Sequence, residues 1–341
     1  MSPSPLRVAI VGAGMIAEYH RKAVLAQAGL GVELAAMVHH DASQFARIVE
    51  RYGVPCRSFD AVLADRSIDI VSLCTPSGQH AQQALAAIAA GKHVLVEKPM
   101  ALSLASADAM IAAADERGVC LAVALQRRVD PLFRRIKDAL EAGDLGELTL
   151  GVVTLPYFRN QAYYDQAEWR GTWALDGGGV LMNQGIHIID LLLWYMGDPV
   201  LIHAGADTLH RHIEVEDVAA AALRFSSGAL ATIAATTAAG QGFPHRLELY
   251  GTQGGIQVEG EGVVRWSVDP ETATIDPPDL SAGAGAGAGG DPRAISTAGH
   301  EAILADLVGA IREGRSPAID GREGRRSLAA IIGIYEAAGL L

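Results

Sequence analysis

Lys98 closes a short apolar run, His93-Val94-Leu95-Val96, and stands between Glu97 and Pro99. The tip of a strand in an open α/β sheet is where such sheets bind their ligands. A primary amine held there beside a nicotinamide can give or take the proton that accompanies hydride transfer. The bland alternative for Glu97-Lys98-Pro99 is a surface ion pair ahead of a turn. Against it, a continuous apolar strand directs its tip into a cleft. Partial desolvation there should lower the lysine pKa into the range that general acid–base catalysis uses.

Upstream, Val8-Ala9-Ile10-Val11 runs into Gly12-Ala13-Gly14-Met15-Ile16-Ala17, a G-x-G-x-x-A sequence. Gly12 permits a tight turn, Gly14 lets the backbone approach a pyrophosphate, and Ala17 allows close helix–strand packing. Alone the pattern is weak, but here it follows a strand and opens a helix, which is its confirming context. Gly12, Gly14, Met15 and Ile16 are therefore expected against a dinucleotide. His39-His40-Asp41 follows the second strand, where an acidic residue would favour NAD and a basic one NADP. His39 repels neither, so the cofactor is NAD or NADP, with NAD slightly favoured; the same histidines would serve equally as a solvated strand end. Thr75 and Pro76 end the next strand, the hydroxyl within reach of a ribose or phosphate. His80 either points into the cleft or is a surface residue at a helix start. Glu97 and Lys98 complete the expected cofactor edge.

A second set lies near the middle of the chain. Asn183, His187, Asp190 and Trp194 recur at i, i+4, i+7 and i+11 after the glycines 177–179, one polar stripe on an otherwise apolar helix. Such a stripe is costly unless it lines a site or bonds internally, and a substrate-binding stripe with His187 and Asn183 is the expectation. Tyr163, Tyr164, Arg170, Thr172 and Trp173 precede it. Their aromatic faces and donors suit a sugar ring bearing a carboxylate or phosphate; interdomain packing would explain the same composition.

These residues need a scaffold, and the first 125 residues supply it. Strands at 7–11, 33–38, 70–74, 93–96 and 120–124 alternate with helices at 15–28, 42–52, 79–90 and 103–117, with Ser103 as N-cap and Gly91 and Gly118 as C-terminal caps. This alternation predicts an α/β fold, a doubly wound parallel Rossmann sheet. Residues 126–341 read as an α+β domain with a large, mostly antiparallel open sheet. It begins with a helix at 131–142 and a strand at 148–155, continues with a helix at 178–196 and strands between 202 and 268, and ends in helices at 300–313 and 324–338. Residues 270–292, rich in Gly, Ala and Pro, predict a mobile surface loop.

The chain has 341 residues, half of them hydrophobic, which is enough for two domains with cores. A net charge of −12 argues against nucleic-acid and anionic-membrane partners. No window has the composition of a membrane span. Three separated cysteines, Cys56, Cys74 and Cys120, imply neither a disulfide framework nor a metal site, and a cytoplasmic location is the default.

Gly12–Ala17, Cys74-Thr75-Pro76, the 91–99 segment through Glu97-Lys98-Pro99, Gln126-Arg127-Arg128 and the 177–190 segment together resemble the Gfo/Idh/MocA family of NAD(P)-dependent sugar and polyol oxidoreductases. The resemblance implies Lys98 as catalytic lysine and His187 as assisting acid/base or orienting group, with Asn183 beside it. Arg127 and the Tyr164, Arg170 and Trp173 cluster would contact substrate, a carbohydrate, cyclitol or nucleotide sugar, in a homodimer or homotetramer. Many members carry aspartate at the position of Asn183. Asparagine cannot hold a proton-carrying charge, which tells against a lysine–aspartate–histidine relay, and members with asparagine there include enzymes oxidising the 3-hydroxyl of nucleotide-linked amino-sugar uronates. The alternatives are an NAD-dependent glycoside hydrolase that oxidises its substrate transiently and eliminates, or a non-catalytic NAD(P) sensor.

Overall fold

The alternation of apolar strands and alanine-rich helices at the start of the chain builds one parallel sheet. The structure, a computed structural model, describes residues 5–278, 280 and 296–341. β1 (Leu6–Val11), β2 (Val32–Val38), β3 (Cys56–Arg57), β4 (Ile70–Leu73), β5 (His93–Val96) and β6 (Leu121–Val123) line up in the order β3-β2-β1-β4-β5-β6, every pair parallel. Val8, Ile10, Ile70, Val71 and Val94 are wholly buried, as expected for strands covered on both faces. The connecting helices are α1 (Met15–Ala26), α2 (Phe45–Tyr52), α3 (Phe59–Ala64), α4 (His80–Ala89) and α5 (Leu104–Arg117). Ser103 caps α5 by accepting the Ser106 N–H, and Gly118 closes it in the left-handed conformation.

The second sheet begins after α6 (Pro131–Glu141), whose Asp130 cap accepts the Leu132 N–H and whose first residue is proline. β7 (Leu148–Pro156) leads to the single turn α7 (Gln161–Tyr164), and α8 (Ile186–Met196) precedes β8 (Pro199–Asp207). β9 (Val218–Phe225), β10 (Leu230–Thr236), β11 (Arg246–Gly251), β12 (Gly254–Glu259) and β13 (Gly262–Val268) follow. The order is β13-β12-β11-β7-β10-β9-β8, antiparallel except for β7 against β10. β9 and β10 alternate strictly between buried and exposed residues, the mark of a sheet packed on one face only.

The chain closes with α9 (Ala298–Glu313) and α10 (Gly321–Ala337). Contacts divide it into Met1–Gln126 with Ser296–Arg325, and Arg127–Ile295 with Arg326–Leu341. Residues 296–325, read from sequence as part of the second domain, therefore belong with the first. Gln27 donates to the Glu301 carbonyl, Val123 donates to that of Ile319, and Ala122 bridges Asp320. A helical pattern shows that α9 has an apolar face but not which sheet covers it. Of the segment 270–292, residues 279 and 281–292 lie outside the described residues. Among the described residues, no helix is long and apolar enough to cross a membrane.

Candidate active-site residues

In the first unit the expected cofactor residues gather along one edge, the carboxyl ends of β1, β4 and β5. The strand order reverses between β1 and β4, the crevice where doubly wound sheets bind nucleotides. Gly12 lies there with φ of 101°, and a Cβ on it would stand 2.6 Å from the Cys74 carbonyl oxygen, so neither the turn nor the packing admits a side chain. Gly14 caps α1 in extended conformation. Among the described residues no side chain caps this helix start, and none beyond the local chain lies within 4 Å of the place a Gly14 Cβ would take. A helix N-terminus without a side-chain cap at the switch point fits a pyrophosphate. Met15 is 44% exposed beside them, and Ile16 is half-buried.

The residues chosen to read the ribose are arranged differently. The His39 ring accepts the Asp41 N–H and stacks on His40 with centroids 4.5 Å apart. Asp41 is spent on a local turn, accepting from Ser43. The Thr75 hydroxyl donates to Gln83, and Pro76 begins the short turn into α4. His80 corrects the expectation of a cleft-facing or surface ring. It is buried, with Nδ1 2.8 Å from the Pro99 carbonyl and Nε2 2.9 Å from that of Thr75. Burial lowers its pKa against the pull of those two oxygens.

Glu97 is no surface ion pair. Its Oε1 lies 2.8 Å from His20 Nε2 and 3.1 Å from His300 Nε2, and Oε2 accepts the Lys98 N–H at 3.2 Å. Burial would raise its carboxyl, but the hydrogen bonds from His20 and then His300 prevail and hold it well below the usual range. Burial lowers the pKa of His20, whose Nδ1 meets the Ser72 hydroxyl at 2.6 Å. Lys98 itself is half-buried, two residues beyond β5.

In the second unit the long helix expected at 178–196 begins instead as a π-helix over Val180–Gly185, and α-helix starts only at Ile186. π-turns widen the backbone and cluster at functional sites. Asn183 sits in that turn, its amide donating to Asp176; His187 opens the following α-turn, and both are half-buried. The expected stripe stops there. Asp190 is buried in a two-pronged ion pair with Arg128, both bonds 2.7 Å, and Trp194 lies beneath the Arg128 and Lys137 cations. A buried pair of this kind is an internal solution to the polar stripe.

The other expected substrate residues also have internal partners. Arg127 forks onto Glu261, and the Tyr164 hydroxyl donates to Thr237, burial lifting that phenol to about 12. Trp173 meets Tyr335 edge-on at 5.3 Å. Arg170 lies over the rings of Tyr163 (4.3 Å) and Trp169 (4.7 Å), and its buried Nε has no hydrogen-bond partner among the described residues.

Sequence reasoning missed His20, His300, Asp176 and Glu216. Glu216 accepts from the N–H groups of Gly179 and Leu181 and from the Tyr335 hydroxyl, pinning the start of the π-turn. A Cβ on Gly179 would overlap the Glu216 carbonyl, which explains part of the glycine run. The only trace of Glu216 in the sequence is an acidic pair, Glu216-Asp217, at the entrance to an alanine-rich strand.

Burial lifts Glu216 from 4.5 to about 7, and lowers His245 from 6.5 to about 4. The signs oppose. The His245 contribution is complete above pH 6.5 and is lost as pH falls toward 4; the Glu216 contribution is complete below pH 4.5 and is lost as pH rises through 7. Glu216→Gln leaves the histidine loss uncompensated. Between pH 7 and 5, its urea-unfolding free energy should fall more steeply than the parent's, by about 2 kcal/mol. Equal slopes would refute this assignment.

Residues 6–125 match the family description "Oxidoreductase family, NAD-binding Rossmann fold", and residues 133–257 match "GFO/IDH/MocA C-terminal domain". The chain is similar to the WlbA dehydrogenase of Bordetella pertussis, solved in complex with NADH and UDP-GlcNAcA. The two are 32% identical with a TM-score of 0.87, covering 99% of this chain and 97% of that one. It is also similar to 4-carboxy-2-hydroxymuconate-6-semialdehyde dehydrogenase of Sphingobium sp. (strain NBRC 103272 / SYK-6), 29% identical over 98% of each chain. The inositol 2-dehydrogenase of Rhizobium meliloti (strain 1021) is 27% identical over 80% of this chain and 81% of its own.

Proposed function

The chain belongs to the GFO/IDH/MocA family of NAD-binding oxidoreductases, and from that premise we propose that it oxidises, reversibly, a secondary hydroxyl of a sugar, cyclitol or nucleotide sugar. The observation that carries the reading is the single sheet edge. Lys98 follows β5 on the same carboxyl edge as the Gly12–Ala17 loop after β1, with β4 between them. A bound nicotinamide supplies a hydride acceptor at its C4. Lys98 takes the hydroxyl proton as the hydride departs and returns it in reduction. His187 is the second acid/base or orienting group. Asn183, whose amide is held by Asp176, fixes the hydroxyl without carrying charge.

A nucleotide sugar with an acidic group is the favoured substrate. Its support is the 32% identity to a dehydrogenase solved with UDP-GlcNAcA, together with the stacked Arg170, whose buried Nε lacks a partner among the described residues. A guanidinium held between aromatic rings suits a carboxylate or phosphate. The homo-oligomer would use the outer face of the seven-stranded sheet. Leu150, Leu230 and Leu201 lie exposed there in one row, in register with or beside Arg224.

The test is a fluorescence titration with NADH and NADPH, followed by assay of UDP-N-acetylglucosaminuronate and myo-inositol at 340 nm. NADH binding with net reduction of NAD by either substrate class is expected. Turnover with a retained cofactor and no net reduction would replace the dehydrogenase by the eliminating hydrolase.

A further inference from the structure

Three buried histidines surround the Glu97-Lys98-Pro99 tripeptide, and the proposed reaction assigns none of them a task. His20 comes from α1, His80 opens α4, and His300 lies on α9, just over two hundred residues downstream of Lys98. All three are at most 2% exposed. His20 and His300 meet at 5.0 Å in an edge-on pair and converge on one oxygen of Glu97. The other oxygen accepts the Lys98 N–H. On the far side of the lysine, the His80 ring spans from the Pro99 carbonyl to that of Thr75 at the tip of β4. Ser72, within β4, holds the outer nitrogen of His20. The backbone on both sides of Lys98 is thus tied to neighbouring elements.

We infer that His20, His80 and His300 are positioning residues that lock the backbone on either side of Lys98 and so present its amine at one place on the sheet edge; the inference rests on the catalytic reading of Lys98. A lysine side chain has about 2 kcal/mol of rotamer entropy, so fixing its base narrows where the amine can go. Misplacement of a catalytic group by about 1 Å costs on the order of a hundredfold in rate. The same histidine and glutamate atoms lie within 4.8 Å of one another, close enough for a cation. A metal-bound His300 ring would carry a proton on Nδ1, and that buried atom has no acceptor among the described residues. The cluster is therefore read as hydrogen-bonded.

The experiment compares His300→Leu and His300→Gln with the parent in full-length enzyme. Leucine keeps the volume and removes the donor; glutamine restores a donor at about the reach of Nε2. His300→Leu should lower kcat roughly 10- to 100-fold, with substrate KM and NADH Kd within about twofold. It should also move the limb of the kcat pH profile that reports the lysine. The titratable groups facing Glu97 are His20, His300 and Cys74, with His80 and Lys98 alongside, so that limb is assigned by its loss in Lys98→Met. His300→Gln should recover most of the rate. If His300→Leu does not fold, Ser72→Ala, which frees His20 Nδ1, carries the same comparison with a several-fold loss expected. Parental kcat and pH profile in His300→Leu, or in Ser72→Ala where that variant stands in for it, overturn the inference if Lys98→Met is inactive. So does a loss that glutamine fails to recover. Parental turnover in Lys98→Met overturns the lysine assignment itself, and the inference with it.

Discussion

Replacing Lys98 with methionine should lower kcat about a thousandfold, in the middle of the range that a positioned general acid or base contributes. Methionine keeps most of the length and apolar stem and deletes the ammonium, so the half-buried site retains its packing. Affinity for NADH should change by less than about twofold. The loop after β1 and the N-terminus of α1, which we propose hold the dinucleotide, are both unchanged in the variant. Stopped-flow hydride transfer with deuterated substrate separates the chemical step from product release. An isotope effect that grows in the variant would place the loss at the transfer itself. A variant whose rate falls tenfold or less would shift the proton work to His187.

The second large effect is expected at Gly12. Gly12→Ala puts a Cβ 2.6 Å from a backbone carbonyl that cannot swing aside, at a φ of 101° that L residues rarely adopt. The strain should cost about 1–3 kcal/mol of stability. Because the turn must open to relieve it, the NADH Kd should also rise roughly tenfold to a hundredfold. Gly14→Ala is the informative partner. Its Cβ meets nothing within 4 Å and its backbone is extended, so the folded protein should not register the change. Any loss of NADH affinity in Gly14→Ala then measures the approach of the pyrophosphate alone. Thermal unfolding and fluorescence titration of the two variants side by side make the distinction.

Much of the first unit was legible because its signals are local. The glycine loop, the Ser103 cap and the continuous apolar strands each carry their meaning within a few residues. β3 and α3 escaped because two residues and six residues leave almost no period to detect. The helix through Asn183 and His187 was found, but its π-turn was not. A stretch of six residues has too few positions to separate a wider helical period from 3.6. Asp190 was drawn into the stripe by spacing alone, since nothing near it announces Arg128, 62 residues away. The same distance problem hid the histidine cluster. His20 is a lone polar residue on a buried helix face, and its partners Glu97 and His300 are 77 residues away and farther still.

The division of the chain carries a consequence for its synthesis. Glu97 waits for His300, and β6 waits for Ile319 and Asp320, so the nucleotide-binding unit is not finished when its last strand leaves the ribosome. The whole of β7 through β13 must be made before the missing pieces arrive. At about 5–20 residues per second that interval is on the order of ten seconds or more. During it a buried carboxylate lacks one of its two imidazole donors and a sheet edge lacks its bridge. A ribosome stalled before residue 296 would therefore carry a nascent unit that is open to proteases and poorly able to retain nucleotide. Genetic fusions that exchange this unit between proteins would need to carry two separate segments of gene.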